Sequence, residues 1–138
     1  MEPTQLFSSM NISASGMSAQ RLRMDIIASN IANVQTTRTS QGGPYRKKEV
    51  VFASILKNNV QEGVRVAEIF SDPSPFRLLY NPQHPDANPE GYVAMPNVNT
   101  ISEMIDMIAT TRSYEANITA FKSAQNMFSK ALELGRRY

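Results

Sequence analysis

The sequence of 138 residues predicts a mainly α protein, in which long N- and C-terminal helices flank a small middle domain containing a β-hairpin. Three observations carry this. Apolar residues recur at steps of three and four near both ends, the spacing of one face of an α-helix. Two short runs in the middle are rich in Val, Ile and Phe, as strands are. Six of the eight prolines fall between 73 and 96, where they forbid a long helix. The divisions drawn on these grounds are 1–36, 37–97 and 98–138.

In the first segment Leu6, Met10, Ser13, Met17, Gln20, Met24, Ile27, Ile31 and Val34 form a seam in which seven of nine positions are apolar. At about 1.5 Å per residue such a helix is on the order of 45 Å long. Gly16 weakens it locally, by up to about 1 kcal/mol relative to Ala. Met10, Met17 and Met24 repeat every seven residues, and a flexible thioether packs against non-identical neighbours; filling a monomer's own core is the plainer reading. Asn30 and Asn33, in ASNIANVQTT, also carry two readings. Asn tolerates the left-handed conformation that ends a helix, and two amides three apart on one face can hydrogen-bond across a subunit interface and fix register.

In the middle, GGP at 42–44 is a breaker, EVVFASIL and GVRVAEIF read as short strands, and Asn58, Asn59 and Gly63 favour a turn between them. The proline-rich stretch reads as mostly loop. GYVAMPNVNT, Gly91 to Thr100, is an extended lead-in, because Pro96 pushes Met95 out of the helical region. TISE, Thr100 to Glu103, then reads as a capping box whose hydroxyl and carboxylate satisfy backbone donors at a helix start. Behind it Ile101, Met104, Ile108, Thr111, Tyr114, Ile118, Phe121, Gln125, Phe128 and Leu132 form a second seam, with Gly135 placed as its stop. Met104, Ile105, Met107, Ile108 and Ala109 together cover about 200° of the helix wheel at about 100° per residue, more than one partner helix hides.

The composition points away from several functions. A formal charge of +2 is too small for a long electrostatic track along nucleic acid. With no Cys there is no disulfide, thiol nucleophile or Cys-ligated zinc. The start does not read as a cleaved secretory signal, and no run reaches the roughly 18 apolar residues of a membrane span, so a cytoplasmic protein is the default unless another export route applies. The lone His84 lies in a proline-rich loop without an evident second ligand. DANPEG imitates the first half of a calcium loop, but its twelfth position falls on Asn97 and a proline sits at its fourth, so a turn is expected. Arg46, Lys47 and Lys48 read as a solvated strand edge or a protein contact, and Arg136 and Arg137 as cations at a helix end. No motif supports catalysis, a cofactor or a small-molecule substrate.

Two helices with one apolar stripe each, joined by a loop-rich insert, hold little core against the entropy of ordering them. The expectation is that the terminal helices complete their folding when neighbouring molecules cover their other faces. A resemblance agrees. ASNIANVQTT is similar to the N-terminal signature of bacterial flagellar rod, hook and filament-junction proteins. GGPYRKKEVVF, GYVAMPNVNTISEMIDMIATTRSYEANI and the closing ALELG resemble the proximal-rod branch of that axial family. The likeness covers about two thirds of the chain and is loose over 53–90; Gln125 stands where Lys is common in the family, and Arg136, Arg137 and Tyr138 extend past the usual ending.

The resemblance implies a structural subunit of the proximal rod, exported through the flagellar type III channel without a cleaved signal, which transmits motor torque across the periplasm. It implies terminal helices that are disordered in the free monomer and pair in a coiled-coil-like layer of a helical tube. Its partners are then other copies, proximal and distal rod subunits, the adaptor at the export gate and ring, and the export apparatus before assembly. The residues expected at its assembly interface are Leu6, Met10, Met17, Met24, Ile27, Asn30, Ile31, Asn33 and Val34 on the first helix, and on the second Ile101, Met104, Ile105, Met107, Ile108, Tyr114, Asn117, Ile118, Phe121, Phe128 and Leu132. Met10, Met17, Met24 and Ile31 are expected to face the C-terminal seam of the same or an adjacent subunit, and Ile105 and Met107 a different neighbour. The competing readings are another axial protein, which GYVAMPNVN argues against, and a cytoplasmic coiled-coil adaptor; an enzyme is a distant third.

Overall fold

The computed structural model describes residues 3–57 and 60–135, with side chains over 7–56 and 62–135. Helix α1 (Pro3–Ala32) leads through a turn-rich connection to the strands β1 (Lys48–Lys57) and β2 (Val60–Ser71). The strands β3 (Arg77–Tyr80) and β4 (Tyr92–Met95) follow, and then helix α2 (Thr100–Gly135). The fold is mainly α with a small β part, as the periodicities predict. β1 and β2 form one antiparallel two-stranded sheet, and β3 and β4 a second.

The helices run antiparallel, because contacts pair rising numbers on α1 with falling numbers on α2. Phe7 meets Phe128 edge-on at 5.0 Å, and Gly16 lies under Asn117. Thr111 Oγ1 lies 3.7 Å from Met24 Sδ, its proton directed to the Met107 carbonyl at 2.8 Å, and Asn30 meets Glu103. The β1–β2 hairpin lies along α1. There Ser15 Oγ, which donates to the carbonyl of Ile12, accepts a hydrogen bond from the Val64 amide at 3.0 Å. Gly63 allows that approach: its φ of +152° disfavours a side chain, and a Cβ there would overlap Ser15.

Several expectations need correction. Gly63 belongs to β2, next to a register irregularity, and not to the hairpin turn; Asn58 and Asn59 lie outside the described residues, as do Arg136, Arg137 and Tyr138. The proline-rich stretch holds β3 and pairs it with β4, two strands that the prolines on either side conceal from periodicity. The seam of α2 also changes course. Thr111, Tyr114, Ile118, Phe121 and Phe128 are half-buried, whereas Ile101, Met104, Ile108, Gln125 and Leu132 are exposed. A three-and-four repeat drifts by about 20° per heptad around a straight helix, and the two successive steps of three at Ile108, Thr111 and Tyr114 turn the stripe further. Beside the half-buried part of the seam, which meets α1 at Thr111 and Phe128, lie Glu103, Thr110 and Ala124, all buried, with Asn117 half-buried between them at the same spacing of seven.

On α1, Ile27 is buried, Met10, Met17, Met24, Ile31, Asn33 and Val34 are half-buried, and the Leu6 side chain lies outside the described residues. The apolar core of the described residues is confined to Ala19, Ile27, Tyr45, Val93, Val98 and Ala124.

Candidate assembly interface

The stretch GYVAMPNVNT is used almost residue by residue. Gly91, at φ +83°, turns the chain where a Cβ would press on Tyr80 and Pro82. Tyr92 to Met95 pair with Tyr80 to Arg77, with the Val93 side chain buried and Tyr92 edge-on to Tyr80 at 5.3 Å. Pro96 and Val98 are buried beside Asn97. Asn99 then starts α2: its Oδ1 accepts from the amides of Ile101 at 3.0 Å and Ser102 at 3.3 Å. This corrects the capping-box expectation. The N-cap is Asn99, and the Glu103 carboxylate, instead of reaching back along its own helix, is drawn into the interior.

There Glu103 and Asn30 are each about 1% exposed. Asn30 Nδ2 donates to Glu103 Oε2 and to the carbonyl of Lys48, both at 2.9 Å. Its Oδ1 accepts from the Tyr45 hydroxyl and from the Lys48 amide, also at 2.9 Å. Both donors and both acceptor sites of the amide are filled, and the orientation follows, because a carboxylate only accepts. Asn30 is therefore an internal key joining α1, β1 and α2, and its hydrogen bonds stay within the chain rather than crossing to a neighbour. Asn33 has the local role: its Nδ2 donates to the Ser29 carbonyl at 2.9 Å and its Oδ1 accepts from Thr36 Oγ1 as the helix ends.

Glu103 Oε1 lies 3.0 Å from Lys47 Nζ, which lies 3.0 Å from Glu49 as well. Partial burial alone would lower the Lys47 pKa, but the hydrogen bonds and charges of Glu103 and Glu49 together outweigh it and raise the pKa above the ordinary lysine value. Of the basic run, Lys47 and Arg46 are thus engaged within the chain, while Lys48 is exposed. Arg46 lies over the Phe76 ring at 4.2 Å and donates through Nη1 to the carbonyls of Asp72 and Ser74, both at 3.1 Å. Asn97 completes the junction, its Oδ1 accepting from the Lys47 amide at 2.8 Å and its Nδ2 donating to the Asp72 carbonyl at 3.2 Å. Apart from the Lys47–Glu49 pair, these bonds were not legible from periodicity, since they join residues distant in sequence.

The outward face of α2 is its inverse. Ile101, Met104, Ile105 and Ile108 are 72, 52, 62 and 57% exposed and form one stripe, while Met107 turns partly inward. This gathers four of the expected interface residues on a surface that nothing among the described residues covers. Elsewhere, His84 Nδ1 accepts from the Asp86 amide at 3.1 Å, and the Asn88 side chain accepts from the amides of Glu90 and Tyr92, so DANPEG is a turn. Among the described residues there is no cluster of metal-ligating side chains, and no helix is long and apolar enough to cross a membrane.

The helical hairpin is locked by polar bonds on its inner side and carries an exposed apolar stripe on its outer side. The profile described as flagella basal body rod protein matches residues 10–38, and that described as flagellar basal body rod FlgEFG protein C-terminal matches 90–134. Both helices thus carry the marks of the flagellar rod class. The similar curated proteins are more particular. Flagellar basal-body rod protein FlgC of Bacillus subtilis is 47% identical over 94% of this chain and 98% of its own length. The protein of the same description from Borreliella burgdorferi is 46% identical over 94% and 97%, and that from Escherichia coli O157:H7 is 36% identical over 95% and 98%. The chain belongs to the flagellar basal-body rod protein FlgC family.

Proposed function

We propose that the chain is a structural subunit of the proximal part of the flagellar basal-body rod, assembling helically with copies of itself and with other rod proteins. The observation that carries the proposal is the stripe of Ile101, Met104, Ile105 and Ile108, exposed on one side of a helix whose other side is keyed to α1. Covering these side chains favours association by on the order of 1.5–3 kcal/mol for each one fully buried. A head-to-tail contact that does not close on itself repeats into a filament, and many such contacts in parallel carry torque across the periplasm. In this reading Met24 meets Thr111 within the chain, and Ile105, rather than Met107, is the centre of the contact with a neighbour. The divisions 1–36, 37–97 and 98–138 become two axial segments and an outer one. The chain reaches the rod through the flagellar export apparatus, and its role is mechanical rather than catalytic.

The test is Ile105→Asp in a strain lacking the native chain. Expression and helix content are expected to stay normal, while the subunit is absent from isolated basal bodies and swimming is lost. Normal swimming with the variant present in basal bodies would sink the proposal.

A further inference from the structure

The β1–β2 ladder ends in an unusual way. In an antiparallel hydrogen-bonded pair, opposite residues exchange two backbone bonds. At the base of this hairpin the Asp72 amide donates to the Lys47 carbonyl at 2.8 Å, but the reciprocal bond is divided. The Lys47 amide donates to Asn97 Oδ1, and Asn97 Nδ2 donates in turn to the Asp72 carbonyl. A side-chain amide thus takes the place of a ladder bond between the two strands. On the next residue, whose backbone groups point the other way, the Asn30 amide holds both the N–H and the C=O of Lys48, as a neighbouring strand would.

The first two residues of the hairpin are therefore held on both sides, by one asparagine from α1 and one that stands two residues before the cap of α2. We infer that Asn30 and Asn97 are positioning residues, forming a clamp that fixes the angle at which the hairpin stands on the helix pair and makes the joint stiff. Glu103 orients the first amide, and Arg46 secures the carbonyls of Asp72 and Ser74 beside the second. The inference rests on the rod reading for its consequence: a load on the outer hairpin passes to the axial helices through this clamp. Asparagine is suited to it because one short planar group offers a donor and an acceptor side by side, as a peptide does.

The experiment uses the full chain, whose lack of cysteine permits clean labelling. Spin labels at Arg21→Cys on α1 and Glu68→Cys on β2, both exposed positions, report the distance distribution between helix and hairpin in isolated basal bodies. Asn97→Ala is expected to leave helix content unchanged and to broaden that distribution about twofold, because local opening follows loss of a few bonds at one site. A distribution of unchanged width in an incorporated Asn97→Ala subunit overturns the clamp. Should that variant fail to incorporate, Asn97→Asp decides, since the carboxylate keeps an acceptor for the Lys47 amide but has no N–H for the Asp72 carbonyl; broadening upholds the clamp and an unchanged width removes it. If the labelled parent chain itself does not enter basal bodies, the rod reading falls, and the same comparison on the full-length chain in solution still decides the clamp.

Discussion

The two faces of α2 are the reverse of what a self-contained helix presents. The face turned to α1 buries a glutamate, a threonine and an alanine, with Asn117 among them, while the face turned to solvent carries three isoleucines and a methionine in one stripe. The inward face admits one register, because Glu103 finds its partners only when Asn30 and Lys47 stand opposite. The outward face is tolerant of register and strongly adhesive. Specificity within the chain and adhesion between chains have been assigned to different sides of one helix.

The largest effect should come from breaking the inward face. Glu103→Ala removes an acceptor from Asn30 and the carboxylate from Lys47, and removing one partner of a buried pair costs about 3 kcal/mol, near the low end because Lys47 is partly exposed. It should appear as a shift in the denaturation midpoint of the full chain. Ile105→Asp, on the outward face, should move the same midpoint by within about 0.5 kcal/mol; equal shifts would erase the distinction between the faces.

A smaller effect tests how closely the helices approach. A Cβ at Gly16 would lie 3.0 Å from Asn117 Nδ2. Gly16→Ala gains roughly 1 kcal/mol of helix propensity but overpacks the crossing by about 1–3 kcal/mol, for a net loss near 1 kcal/mol in the same unfolding experiment. Adding Asn117→Ala should turn the loss into a gain; if the double variant is no more stable than the single one, the crossing is not limited by that amide.

The smallest effect is a pH dependence. The Lys47 pKa is raised in the folded chain, so its contribution to stability is complete below the ordinary value of 10.5 and is lost as pH climbs through the raised value. Melting temperature should therefore decline above pH 10.5 more steeply in the parent chain than in Glu103→Gln, where the main carboxylate partner is gone. Equal slopes would show that the pair adds nothing.

Where the sequence speaks through local pattern, it was readable. Both helices follow from apolar spacing, and β1 and β2 from their Val, Ile and Phe content. The stripe containing Ile105 could be seen as too wide for one partner, and the seam found Thr111 and Phe128 against α1, but the most buried line, Glu103, Thr110 and Ala124, could not be seen, because no apolar template selects polar and small residues. TISE matches a capping box in letters alone; that Asn99 caps the helix and Glu103 turns inward depends on Asn30, far away in sequence. β3 was hidden by its neighbouring prolines, and Gly63 suggested a turn because the need for a glycine beside Ser15 arises only once the hairpin has folded onto α1.

The Asn30 amide also has a bearing on the order of events. Its partners lie 15, 18 and 73 residues further along the chain. Contacts across long stretches of chain form late, after the entropy of closing the loop between them has been met. Tyr45 and Lys48 can fill three of its four valences early, but the fourth waits for Glu103. Asn30 therefore works as a coincidence detector in folding: its bonding is complete only when the leading helix, the hairpin base and the closing helix have all arrived.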